Sequence, residues 1–141
     1  MYHVKASAGS VHLIKPPFGS DLLPELDAFV RQHGINLGWL TGVGAVSRAT
    51  LRYYDQPNQT WVDNDLDQRL EVAGLWGNVS LMNGEPGVHI HCVLADEQGR
   101  CYGGHLGPNT LVFNLEIQLT TLTGPSVLRK MDPQTGLFIW H

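Results

Sequence analysis

Past Gly34 the apolar residues of this chain stop recurring at helical spacing and begin to alternate. A period of two places successive side chains on opposite faces of a strand, so most of the chain must be accommodated in sheet. The clearest run is Leu111 to Leu122. Leu111, Phe113, Leu115, Ile117 and Leu119 share one face and read as core, while Asn114, Glu116, Gln118 and Thr120 share a polar face. Upstream, strands are predicted over Leu37 to Val46, Ala49 to Asp55, Arg69 to Met82, Val88 to Ala95 and Arg100 to Leu106. Gly74 and Gly77 are candidate bulges. Gln56 to Gln68 reads as a polar loop and Asn83-Gly84 as a hairpin turn.

The N-terminal quarter is different. A short strand over Val11 to Lys15 ends at Pro16-Pro17. Leu22, Leu23, Leu26, Phe29 and Val30 then recur at helical spacing, predicting a helix over Asp21 to His33 with Ser20 as its N-cap and Gly34 as its stop. Pro24 is tolerated there because it falls in the first turn. One helix followed by a run of strands predicts an α+β domain, a mostly antiparallel sheet with the helix packed on one face. The length of 141 residues fits a single domain over 1–141, with its core at about 11–122 and a tail over 123–141. Phe138, Ile139 and Trp140 in that tail are expected to dock, either on this core or on a neighbouring subunit.

Charge and cysteine content exclude several classes. The formal net charge is −4, which argues against a surface built to attract nucleic-acid phosphates. Cys92 and Cys101 lack Cys-x-x-Cys spacing, so a zinc ribbon or redox motif is excluded, and both are read as free thiols in a reducing compartment. The first residues lack the apolar core of a signal peptide, and no apolar run approaches the roughly 20 residues of a membrane helix. The expectation is a cytoplasmic protein without a membrane partner.

The chemistry concentrates in histidines. In His89-Ile90-His91 the two imidazoles stand at i and i+2 of a strand and face the same way. The strand runs into Asp96-Glu97-Gln98-Gly99, which suits a three-residue hairpin loop with Gly99 in the left-handed region. Asp96 then opposes Arg100, and His91 falls opposite His105, with Cβ atoms about 5 Å apart. Three imidazoles converge, leaving a fourth metal position for water or substrate. A two-residue loop would turn His105 to the other face. His3, His12, His33 and His141 show no such convergence and are read as surface. Imidazole suits zinc, copper, iron and nickel, and abundance and redox neutrality favour Zn2+. Glu116, on the polar face of the next strand, is the candidate fourth ligand or general base, with Glu71 second. Gly103-Gly104 leaves room for a ligand or for close backbone approach.

These residues also carry a resemblance. Leu40-Thr41-Gly42-Val43-Gly44-Ala45-Val46, then Leu51-Arg52-Tyr53-Tyr54-Asp55, then His89 to Arg100 and Gly103-Gly104-His105-Leu106, resemble in order the PPC domain, the plant and prokaryote conserved domain. Glu116, Glu71 and Gly77-Asn78 fit its pattern, and the likeness spans Val11 to Leu122. The resemblance implies an antiparallel-sheet domain commonly assembled as a trimer. Plant members carry AT-hook segments and bind DNA in the nucleus, but that contact belongs to a basic minor-groove arm. No such segment occurs in these 141 residues, whose arginines are scattered.

Three roles follow: a small metalloenzyme with Glu116 as base, a metal-holding or small-molecule-binding module without turnover, and a DNA-binding protein by analogy with the plant members. The sequence does not choose between the first two. Assembly is expected as a homotrimer with the metal site at or near an interface. Tyr53, Tyr54, Trp61, Trp76 and Trp140 are more large aromatics than one sheet and one helix cover easily, and a single helix shields only one sheet face. The alternative is that the Gln56 to Gln68 loop and the tail cover the second face within one chain.

Overall fold

The computed structural model describes all 141 residues. Nine strands and one helix follow in the order β1 (Ser7–Ile14), α1 (Leu22–Gln32), β2 (Gly38–Asp55), β3 (Thr60–Leu66), β4 (Leu70–Met82), β5 (Glu85–Ala95), β6 (Cys101–Leu106), β7 (Leu111–Thr123), β8 (Leu128–Asp132) and β9 (Leu137–Trp140). All nine belong to one sheet, and every pairing is antiparallel except that of β4 with β8. No helix is long and apolar enough to cross a membrane.

The α+β assignment is corrected. Strands hold 61% of the residues and helix 8%, so the fold is mostly β with one helix laid on it. The excess strand comes from segments whose side chains carry no periodic signal. The predicted loop over Gln56 to Gln68 holds β3, which pairs with β2 from Ala49↔Leu66 to Asp55↔Thr60 although its side chains are nearly all exposed. The tail forms the β8–β9 hairpin, and β8 adds to the edge of β4. In both places backbone pairing alone makes the strand.

β2 organises the sheet. Its first half, Gly38 to Val46, lies between β4 and β7; its second half lies between β3 and β6. The two strands predicted here are therefore one bent strand. Gly44, at φ 141°, marks the irregularity, and a Cβ there would lie 2.1 Å from the Asn114 carbonyl oxygen, so only glycine permits this approach to β7. The pairings β2–β4, β4–β5, β5–β6 and β6–β2 close a ring.

The inner face of the sheet carries Leu40, Leu75, Ile90, Leu94, Leu106, Leu115 and Leu119, all essentially buried. α1 packs its Leu22, Leu26 and Val30 stripe into this core. Asp27 and Arg31 fasten it to β5, Asp27 accepting from the Val88 N–H at 2.9 Å and Arg31 donating to the Pro86 carbonyl at 3.3 Å. The helix N-cap is Asp21 rather than Ser20, whose hydroxyl donates to the Pro17 carbonyl.

The opposite face is left uncovered by α1. Leu13, Trp39, Val43 and Trp76 are all exposed there, and Leu13, Val43 and Trp76 line a cleft of about 570 Å3 together with Lys15 and Glu116. Trp76 leans back along β4 over Gly74, where a Cβ would lie 2.2 Å from the indole.

Candidate metal centre

His89 and His91 leave β5 on the outer face, with Ile90 between them sealed in the core. The loop that follows brings in the third imidazole. Asp96 N–H donates to the Arg100 carbonyl at 3.0 Å, Gly99 N–H donates to the Asp96 carbonyl at 2.9 Å, and Gly99 has φ 76°. The Asp96 carboxylate accepts from the Gln98 and Arg100 N–H groups, from Arg100 Nε at 2.7 Å and from the Tyr102 hydroxyl at 3.0 Å. Burial opposes its charge, but these hydrogen bonds outweigh burial and hold its carboxyl below the usual range. The register so fixed is the expected one, His91 facing His105 across β5 and β6.

One ring nitrogen from each of His89, His91 and His105 lies within 4.8 Å of the others. The ring centroids are 5.0 to 5.2 Å apart. Burial, then Arg129 and His91, lower the pKa of His89 to about 4. Burial, then its neighbours His89, His91, Arg52 and Arg129, lower that of His105 to about 4. Both are neutral at pH 7, the form in which imidazole binds metal. His105 Nδ1 is buried without a hydrogen-bond partner. A lone polar atom of that kind, in a group of three imidazoles, fits a divalent ion and the N-donor metals.

Two hairpins frame the histidines. From β3, Trp61 lies tilted against His105 with ring centres 4.9 Å apart, and Arg52 lies over the Trp61 ring while pairing with Asp63 at 2.7 Å. From β8, Arg129 Nη2 donates to His89 Nδ1 at 3.2 Å and to Asn78 Oδ1 at 2.8 Å. The hairpin tips touch, the Tyr54 hydroxyl donating to the Thr135 carbonyl at 2.7 Å and Gln59 to the Gln134 carbonyl at 3.2 Å.

The carboxylates selected from sequence do not join this group. Glu116 is exposed on β7 opposite Val43, with β2 and β4 between it and β5. Glu71 is exposed opposite Ala95. Gly103 leaves room beside the histidines, whereas Gly104 serves close approach, since a Cβ there would lie 3.2 Å from Arg52 backbone oxygen. Arg129 was not selected from sequence. Its only signal was the apolar tail around it, which docks on this chain's own β4. Cys92 is a buried free thiol, pushed up to about 12 by burial, and Cys101 is an exposed one. His12 is half-buried rather than free at the surface, edge-on to Phe29 at 5.8 Å.

A mostly-β domain presenting three clustered imidazoles from paired strands defines a protein with a candidate three-histidine metal centre. A family model for the Plants and Prokaryotes Conserved (PCC) domain matches residues 3–123, and the chain belongs to that family. Among solved structures, the metal-containing protein AF0104 from Archaeoglobus fulgidus superposes with a TM-score of 0.94 at 35% identity, covering 100% of this chain and 99% of that one. A plant- and prokaryote-conserved (PPC) protein from Pyrococcus horikoshii gives 0.94 at 33% identity, covering 100% and 97%. The bifunctional protein GlmU of Synechococcus sp. (strain JA-3-3Ab) is 40% identical over 125 residues, 87% of this chain but 19% of its own length. The chain thus spans about a fifth of that curated relative.

Proposed function

We propose that this protein binds one divalent ion, zinc on grounds of abundance and redox neutrality, on His89, His91 and His105. The observation that carries this reading is the convergence of three imidazoles, one of which, His105, has a buried Nδ1 without a partner. The Archaeoglobus fulgidus relative, which is called metal-containing, supports it. A divalent ion held by three imidazoles would supply Lewis acidity toward one further ligand. The chain's own residues shape what that ligand meets. Trp61 shields one side of the histidines, and Arg129, oriented by Asn78, stands on the other.

We further propose that the uncovered face docks on second and third copies in a homotrimer. Trp76 links this face to the site, since it lines the cleft of Glu116 and pairs across from His91. Within one chain Glu116 is remote from the histidines, so its part as a general base depends on assembly bringing one copy's cleft to another's site. A DNA-binding role rests on the plant members and on the names of two solved structures, both 23% identical and so evidence of the fold alone, against a net charge of −4, and is not taken up.

Elemental analysis of protein reconstituted with zinc and desalted tests the metal reading. The expected result is about one zinc per chain, lost in His91→Ala and His105→Ala variants that keep their β-sheet circular dichroism. Wild-type protein that holds no zinc would reject it.

A further inference from the structure

Arg129 differs from the chain's ion-paired arginines. Arg31, Arg52 and Arg100 each have a carboxylate partner. Arg129 is half-buried and has none. Its Nε donates to Ser80 Oγ at 2.8 Å, Nη2 to Asn78 Oδ1 at 2.8 Å and Nη1 to the Phe138 carbonyl at 3.2 Å, and its face lies 5.8 Å from the Trp140 ring centre. Every one of these partners is neutral. A guanidinium held by neutral acceptors keeps its full charge, and burying an uncompensated charge is costly unless an anion arrives.

The remaining contact concerns the histidines directly. A guanidinium only donates, so His89 Nδ1 is the acceptor in its hydrogen bond with Arg129 Nη2. That bond is incompatible with a metal on His89. If Nδ1 faces the ion, Arg129 stands in the ion's place. If Nε2 faces the ion, Nδ1 carries the proton and two N–H groups oppose one another. Loading the site therefore releases the Nη2 donor from His89 while Asn78 and Ser80 still hold the side chain beside it.

Resting on the metal reading above, we propose that the loaded site takes a small organic monocarboxylate, one carboxylate spanning the ion and the Arg129 guanidinium. Planar two-oxygen anions match the guanidinium fork. The acidic residues of β3 oppose a second negative charge beside the site. Arg52, the other arginine near the histidines, is already neutralised by Asp63, and Asp65 follows on the same strand, bonded to Thr50. Of these two arginines beside the histidines Arg129 is thus the one without a carboxylate partner, and a phosphate dianion would meet the acidic side of β3. The aromatic rings of Trp61 and Trp140, on the two framing hairpins, suit the organic remainder.

The test uses the full chain loaded with cobalt(II), whose visible absorption reports its ligand environment. Acetate and inorganic phosphate are titrated at matched ionic strength. Acetate is expected to shift the wild-type spectrum saturably, and phosphate at the same concentration is not. Arg129→Ala and Arg129→Lys are expected to keep about one cobalt per chain and to weaken acetate about 10- to 100-fold. Acetate titrations unchanged in both variants, or phosphate binding tighter than acetate, would overturn the proposal while leaving the metal reading intact. Wild-type protein that retains no cobalt would overturn both. Should Arg129→Ala lose its β8–β9 hairpin, Arg129→Lys alone decides, since it keeps charge and stem but loses the fork.

Discussion

The histidines place a proton-linked load on the fold. His89 and His105 have pKa values of about 4 in the folded chain, against 6.5 for the free side chain. Between those values the unfolded chain binds more protons than the folded one, so stability of the metal-free protein falls as pH drops from 6.5 toward 4 and these two groups add no further slope below that. Urea midpoints at pH 7, 5.5 and 4.5 are expected to decline in that order. A His89→Gln/His105→Gln double variant should flatten the decline, and an equal decline in that variant would show that other groups cause it. The pairing of these residues was legible because two local signals agreed, the i, i+2 spacing of His89 and His91 and the Asp96 to Gly99 loop. Arg129 was not legible. It reaches His89 through a β4–β8 pairing of segments some 47 positions apart, Leu81 with Leu128, and no local pattern encodes such a contact.

Strand β7 shows where periodicity stops being a guide. Its predicted core face holds at Leu115, Ile117 and Leu119, all buried, but Phe113 is exposed and Val112 is buried in its stead. The partner register explains the slip, since Ala45 faces Asn114 while Val46 faces Val112, leaving Phe113 as the extra residue of a bulge. Phe113 then packs edge-on against Phe18 instead of the core. The Asn83-Gly84 turn, by contrast, was fully written in two residues, with φ 55° and 84° as a two-residue hairpin of the primed type requires. Of the two glycines read as bulges, Gly74 adjoins one, while Gly77 serves close approach to His89 and Ile90.

The β5–β6 hairpin supports the prediction at this scale. Its register rests on one carboxylate receiving four hydrogen bonds, and a one-residue slip would send His105 to the inner face. Asp96→Ala is expected to lower zinc affinity about 10- to 100-fold without touching a ligand, and Asp96→Asn, which keeps an acceptor for the loop N–H groups, less. Competition with a chromogenic chelator measures this. Equal zinc affinity in Asp96→Ala and wild type would mean that strand pairing alone sets the register.

At the scale of the whole molecule, the fold class was misread because exposed strands such as β3 announce themselves by pairing, not by pattern, while the family and the sheet's direction were legible from glycine and histidine motifs. The uncovered face bears the last prediction. Leu13, Trp39, Val43 and Trp76 together make an apolar patch of the kind monomers seldom leave to water. Light scattering at micromolar concentration is expected to give about three times the 15.6 kDa of the chain. Trp76→Glu and Val43→Glu should shift the mass toward one chain. A wild-type mass near 15.6 kDa would rule the trimer out.

One strand serves both ends of the molecule. Trp39 and Val43 of β2 stand on the face proposed for assembly, and Arg52 of the same strand pairs across from His105 beyond the glycine bend at Gly44. Thermodynamic reciprocity then requires that whatever factor assembly contributes to holding the ion, the ion returns to holding the copies together.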